Sequence, residues 1–310
     1  MSYIDAAQPL PFTVESVAAD LRRLGAARGS TLLVHSSLSS LGYVTGGAHA
    51  VVLALVEVLG PDGTLVVPTH SAELSDPAQW VNPPVPEAWW PTIRESMPAF
   101  DPLLTPTRGI GAIPEVVRHL PGALRSAHPA YSFCAVGPHA VTITTGHALE
   151  DGLDDASPLA RLYDLDADIL LLGVGHANNT SLHLAEFRSR TRPRATQGAP
   201  VLVDGRRRWV EYPVTDDDIS DFESVGAAAA GAGLERQGTV GRARARLLGV
   251  RPLVDFATRW FGAHRGPAAG GGSGSGGSGT AGQQSAGRWS AGPAPPPRPV
   301  EVGLSWASNR

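Results

Sequence analysis

His183 and Glu186 stand three residues apart in the stretch Asn178-Asn179-Thr180-Ser181-Leu182-His183-Leu184-Ala185-Glu186. On a helix that spacing puts both side chains on one face, where the carboxylate can fix the tautomer of the imidazole. Asn179, Thr180 or Ser181 is placed to cap the helix, which sets His183 in its first turn. There the positive end of the helix dipole disfavours imidazolium and keeps the ring neutral, while Glu186 restores part of its basicity. A neutral imidazole oriented by a carboxylate is a general base in construction. The same spacing also describes a surface histidine with an ordinary i,i+3 partner, so the pair acquires meaning only from what surrounds it.

Other residue types suited to chemistry fall at the ends of apolar runs. His35, His70 and His176 each follow such a run, and ligands of α/β sheets bind outside the carboxyl ends of strands. Ser36, Ser37, Ser39 and Ser40, with Gly42 and the helix start at Thr45-Gly46-Gly47, offer hydroxyls and backbone N–H groups to a phosphate or a carbonyl oxygen. Arg108 beside Gly109 is a second phosphate candidate, or the partner of one of the many carboxylates. There is no Gly-Lys-Ser/Thr loop, and no Gly-x-Gly-x-x-Gly opens a helix after a strand. Ser36 or Ser37 with His183 and Glu186 would make a serine triad, but a Gly-x-Ser-x-Gly elbow is missing. His176, His183 and Glu186 would make a metal site, but His-x-x-Glu without a second histidine on the helix is a poor zinc signature, so no metal is expected.

The elements that must position these groups follow from periodicity. A helix is predicted over 14–24 with Thr13 as cap, a buried strand over 31–35, an apolar helix over 48–59 and a strand over 64–70, the rhythm of a crossover unit with parallel strands. Residues 71–107 break the rhythm with Trp80, Trp89, Trp90 and many prolines, and read as a lid, a binding wall or a structural excursion. Then come a helix from about 108 to 120, a strand over 131–136, a helix over 138–145, and Ser157-Pro158 as the start of another. The run 169–175 is a buried strand, 201–212 a hairpin turning at Asp204-Gly205, 216–231 an acid-led helix and 254–261 a last amphipathic one. The expected fold class is α/β: a layered fold with a central mixed, largely parallel sheet flanked by helices, plus the Pro/Trp-rich insertion. Residues 1–264 form one domain, and the Gly/Ser/Pro-rich residues 265–310 are expected to be a disordered tail.

Composition narrows the classes. Residues 1–264 carry 21 Arg against 28 Asp and Glu, within a chain of net charge −4. That acidic body argues against a nucleic-acid partner and for a cationic ligand. Lysine is absent, so no lysine nucleophile or Schiff base is available. A single cysteine, Cys134, excludes an intramolecular disulfide and a thiolate-rich zinc site, and reads as a small buried apolar residue. No signal peptide or membrane-spanning run stands out, so a cytoplasmic protein without a membrane partner is expected. No feature fixes the oligomeric state.

Taken together, these residues resemble the aminoglycoside N(3)-acetyltransferase family. The matching segments include Leu33-Val34-His35-Ser36-Ser37-Leu38-Ser39-Ser40-Leu41-Gly42-Tyr43-Val44, Asp62-Gly63-Thr64-Leu65-Val66-Val67-Pro68-Thr69 and Asn82-Pro83-Pro84-Val85-Pro86. Further on they are Pro98-Ala99-Phe100-Asp101-Pro102, Thr105-Pro106-Thr107-Arg108-Gly109-Ile110-Gly111 and Arg125-Ser126-Ala127-His128-Pro129. The last block runs from Ser157-Pro158-Leu159 through Gly173-Val174-Gly175-His176 to Glu186, and the resemblance is collinear from about 12 to 262. It implies acetyl transfer from acetyl-CoA to the 3-amino group of the 2-deoxystreptamine ring of an aminoglycoside, and so antibiotic resistance. By match to the family, His183 is the base, Glu186 its orienting partner, and Thr180 or a backbone N–H the donor to the thioester oxygen. Acetyl-CoA as co-substrate would lie over Ser36, Ser37, Ser39 and Ser40 and near Arg108 and Gly109, with His35 and His128 in the same crevice. Glu73, Asp101 and Glu223, and secondarily Asp154 and Asp155, are candidates for the ammonium groups of the antibiotic. Two alternatives keep part of this reading: a different amine acceptor, such as an amino-nucleotide, or a non-catalytic aminoglycoside-binding protein.

Overall fold

In the computed structural model the described residues are 8–81 and 83–266, so all but the first two residues of the expected tail lie outside them. The chain runs α1 (Val14–Leu24), β1 (Thr31–Ser36), α2 (Gly47–Leu59), β2 (Thr64–Pro68), α3 (Trp90–Ser96), α4 (Ala112–Val117), β3 (Leu124–Arg125), β4 (Phe133–Val136) and α5 (Ala140–Thr144). It continues through α6 (Pro158–Asp164), β5 (Asp168–Leu172), α7 (Ser181–Ser189), β6 (Arg194–Val203), β7 (Arg206–Thr215), α8 (Phe222–Gly231), β8 (Glu235–Val240), β9 (Ala243–Gly249) and α9 (Val250–His264). Seven strands make one mixed sheet in the order β3-β4-β2-β1-β5-β9-β8. Its centre, β2-β1-β5, is parallel, and antiparallel strands close it on both sides.

Why the central strands read as unbroken apolar runs is visible in their two faces. Leu32 and Val34, Leu65 and Val67, and Leu170 and Leu172 pack on one side with Val17, Leu21, Val51 and Leu55 of α1 and α2. Leu33, Val66, Ile169 and Leu171 pack on the other with Leu162, Leu184, Phe222 and Phe261 from α6 to α9. A strand covered by helices on both faces has no polar side, which erases the period-two signal. Cys134 lies in the first of these cores as a buried thiol, its pKa pushed up by burial to about 12.

The layered α/β expectation holds, and the departures have local causes. The strand expected over 169–175 stops at Leu172 because Gly173 turns the chain at a φ of +73°. The hairpin does turn at Asp204-Gly205, both residues at positive φ as a type I′ turn requires, but its strands run to ten residues each. It forms a separate two-stranded sheet against the Pro/Trp-rich segment, through Phe100 N to the Pro200 carbonyl (3.3 Å) and Arg207 Nε to the Met97 carbonyl (2.9 Å). The helix expected from 216 begins only at Phe222, so 216–221 is a loop. β8 and β9 were not expected at all, and α9 is longer than its predicted core. Among the described residues no helix is long and apolar enough to cross a membrane.

Candidate active site

The parallel strands deliver the site. β5 ends at Leu172, and the loop after it leads into α7, where Asn179 accepts the Ser181 N–H (3.2 Å) and so caps the helix. The Thr180 side chain makes no capping bond; its hydroxyl lies 3.4 Å from Nε2 of His35 at the end of β1. His183 follows in the first turn, with Nδ1 2.9 Å from Glu186 Oε2 and 3.7 Å from Asp217 Oδ1. Glu186 is fully buried, and its other oxygen accepts from the Arg265 guanidinium (2.5 Å) and the Asp218 N–H (3.0 Å).

This arrangement corrects one expectation. Burial pulls the His183 pKa down, but Asp217 and Glu186 outweigh it and the ring ends above its ordinary value of 6.5. Two carboxylates decide the balance that the helix dipole was expected to set. The Nδ1–H donated to Glu186 leaves Nε2 as the nitrogen open to a substrate.

His183 lines a cleft of about 720 Å³ together with His35, Ser36, Ser37, Ser39, Gly109 and Thr180, all expected there, and with His70 and Asp217. Ser40 stands behind the serine turn, its Oγ 3.0 Å from Ser37 Oγ and 3.1 Å from the Gly173 carbonyl. Arg108 is exposed beside Gly109, its backbone N–H given to the His70 carbonyl (2.9 Å). His128 is not in the lining: it is completely buried, its Nδ1 accepts the Ala130 and Tyr131 N–H groups, and its ring lies 4.8 Å from that of His147. His176 also turns away, with Nε2 2.7 Å from Glu235 Oε2 in a buried pair. The three strand-end histidines therefore do not share one crevice.

None of the carboxylates expected to meet the antibiotic lines the cleft. Asp101 caps a turn through the Leu103 and Leu104 N–H groups (2.8 and 2.9 Å). Glu223 caps the Ala177 N–H (3.0 Å), and Glu73 lies among the residues around Arg125. Asp155 pairs with Arg188 at 2.7 Å, and Asp154 accepts the Ala156 N–H. The carboxylate that does line the cleft is Asp217, inside the acidic run that read as a helix start. Arg265 was missed because it stands one residue beyond the expected domain boundary.

His183, Glu186 and Asp217 bring three ligand-type atoms within 4.8 Å of one another. Glu186 is already saturated by donors on both oxygens, however, and the guanidinium beside it supplies the positive charge a cation would bring.

Burial also holds His35 and His70 down to a pKa of about 3 and His147 to about 4, while in an unfolded chain each would titrate near 6.5. Below pH 6.5 the unfolded state binds more protons, so stability falls as pH falls, by up to ~1.4 kcal/mol per pH unit per imidazole. His183, whose pKa is raised, changes stability in the opposite sense only above pH 6.5 and leaves this acid slope as it is. The urea midpoint is expected to drop clearly between pH 7 and pH 5; a flat or rising midpoint would contradict the buried, uncharged state of these rings.

A buried carboxylate holds an imidazole against a hydroxyl-lined cleft at the carboxyl ends of parallel strands, where ligands of α/β sheets bind. The chain belongs to the aminoglycoside 3-N-acetyltransferase family, whose model matches residues 33–262. It is thereby an acyltransferase of the class that acetylates aminoglycosides and confers resistance to them. It is 46% identical over 262 residues to the SPbeta prophage-derived aminoglycoside N(3')-acetyltransferase-like protein YokD of Bacillus subtilis, covering 84% of this chain and 96% of that one. It is 36% identical to aminoglycoside N(3)-acetyltransferase VIII of Streptomyces fradiae, over 84% and 96% of the two chains. The crystal structure of YokD superposes with a TM-score of 0.81 over 82% of this chain and 95% of that one. AAC-IIIb, solved with CoASH, gives 0.73 at 30% identity over 83% and 98%. AAC-VIa, solved with sisomicin, gives 0.75 at 31% identity over 83% and 99%.

Proposed function

We propose that this protein transfers the acetyl group of acetyl-CoA to the 3-amino group of the 2-deoxystreptamine ring of an aminoglycoside, in the cytoplasm, with His183 as general base. The observation that carries this reading is the 2.9 Å contact of His183 Nδ1 with the buried Glu186, on a ring that lines the cleft. Relatives solved with CoASH and with sisomicin support the two substrates.

An ammonium cannot attack a thioester. The ammonium first gives one proton to solvent, and Nε2 of a neutral His183 then takes a second from the free amine as its nitrogen bonds to the carbonyl carbon. The oxyanion so formed accepts a hydrogen bond from the Thr180 hydroxyl or from a backbone N–H at the start of α7. As the C–S bond breaks, the proton held on His183 returns to the departing sulfur. Asp217, 3.7 Å from the ring, steadies the imidazolium in between and faces a cationic acceptor. Ser36, Ser37 and Ser39 offer hydroxyls along the cleft to the CoA arm, with Arg108 exposed next to it. No step calls for a metal.

A second acceptor, a less cationic amine such as an amino-nucleotide, is favoured by one feature: among the described residues Asp217 is the only carboxylate lining the cleft. One experiment separates them. Free-thiol release from acetyl-CoA is expected to rise with aminoglycosides bearing a 3-amino group and not with analogues acetylated there. Turnover with other amines but none of the aminoglycosides would move the acceptor; CoA binding without any stimulated release would remove the enzyme reading.

A further inference from the structure

Arg265 lies just past the end of α9 and beyond the stretch matched by the family model, yet its side chain is only 10% exposed. One terminal nitrogen is 2.5 Å from Glu186 Oε1. The other is 2.5 Å from Asp221 Oδ1 and 2.7 Å from the Asp218 carbonyl, while Nε is 2.8 Å from Asp221 Oδ2. The plane packs over the Phe261 ring at 4.0 Å. One guanidinium thus ties together the carboxylate that holds His183, the 216–221 loop that carries Asp217, and the start of α8.

We infer that Arg265 is a positioning residue for acetyl transfer, holding Glu186 in the rotamer that aims Oε2 at His183 Nδ1 and pinning the loop that brings Asp217 to the ring. The inference rests on His183 being the base. A carboxylate with no exposed surface is costly to leave without a partner, and a planar fork holds direction where a point charge does not. Arg192 is the other cation near Glu186, at 3.8 Å, but its Nε is given to the Asp216 carbonyl and its ends face Asp216 and Asp218. The charged groups around the imidazole are Glu186 on α7, Asp217 and Asp218 on the loop, Arg192 before β6, Asp221 before α8 and Arg265 after α9. The titratable rings facing it across the cleft are His35 and His70, both held neutral by burial.

The test compares Arg265→Gln, Arg265→Lys and His183→Ala in the full chain, by thiol release across pH. Arg265→Gln is expected to lower kcat by about 10–10²-fold with KM for acetyl-CoA little changed, since no CoA-side group is touched. Its acid limb should move to higher pH, because the cation that opposes imidazolium is gone. Arg265→Lys should keep the limb in place but lose kcat several-fold, since one ammonium cannot serve Glu186, Asp221 and the Asp218 carbonyl at once. Parental kcat and limb in Arg265→Gln overturn the inference. If that variant fails to fold, parental kcat in Arg265→Lys overturns it alone. An inactive His183→Ala beside fully active Arg265 variants would defeat only this inference, whereas an active His183→Ala would defeat the base assignment beneath it.

Discussion

Replacing His183 by alanine lowers kcat by about 10²–10⁴-fold, the range a positioned general base contributes, and leaves the protein folded. The loss falls on kcat because no other side chain among those lining the cleft combines an available nitrogen with a pKa near neutrality: His35 and His70 are held down to about 3. The fold survives because Glu186 keeps both the Arg265 guanidinium and the Asp218 N–H when the imidazole is removed, so the most deeply buried charge beside the ring stays paired. What is lost structurally is the contact with Phe222, whose ring centroid lies 4.9 Å away, at a side chain that already borders open space. Steady-state thiol release and thermal unfolding, measured side by side, check both halves. Parental kcat in a folded variant would end the assignment.

The same expected result shows why His183 and Glu186 were legible in the sequence while their neighbours were not. Their relation is local, one helical turn, and needs only the helix to exist. Asp217 and Arg265 reach the ring from a loop after the hairpin and from the end of the last helix. No spacing encodes either. The acidic run at 216–218 carries the composition of a helix start, and only the β6–β7 hairpin geometry turns it into a loop over the imidazole. The net rise of the imidazole pKa was not legible for the same reason, since Asp217 reaches the ring from elsewhere in the chain and adds to what Glu186 supplies locally. The central strands were legible because burial on both faces makes them uninterrupted apolar runs; β9 carries a period-two pattern, but its inward residues begin with Ala243 and Ala245, weak strand formers that give that pattern little weight. The serine turn was found by its hydroxyls and its place after β1, whereas the carboxylates chosen by composition alone, Asp101 and Glu223, serve as backbone caps.

Glu186→Gln tests the orientation of the base more sharply than any deletion does. The carboxylate accepts on both oxygens: Oε1 from Arg265 and the Asp218 N–H, Oε2 from His183 Nδ1–H. Glutamine fits the space but can accept on one side only. With two donors facing Oε1, its oxygen must turn there, and its NH₂ then meets Nδ1. The imidazole has to present a lone pair at Nδ1 and carry its proton on Nε2, the nitrogen that should accept from the amine. The expected outcome is a kcat loss of at least about 10²-fold although every histidine atom remains in place. Stability should fall by about 3 kcal/mol, the low end for breaking a buried ion pair, because Asp221 still partners Arg265. The pH dependence gives the sign. A raised imidazole pKa contributes stability that is complete below pH 6.5 and disappears as pH climbs through the folded-state value, so the variant's deficit should be larger at pH 6 than at pH 8. Its residual activity should show an acid limb at lower pH, opposite to the shift expected for Arg265→Gln, since one variant removes the anion that raises the ring and the other the cation that lowers it. Stability and kcat measured at both pH values decide the matter: a glutamine variant with near-parental turnover would mean that the ring is oriented by Asp217 rather than by Glu186.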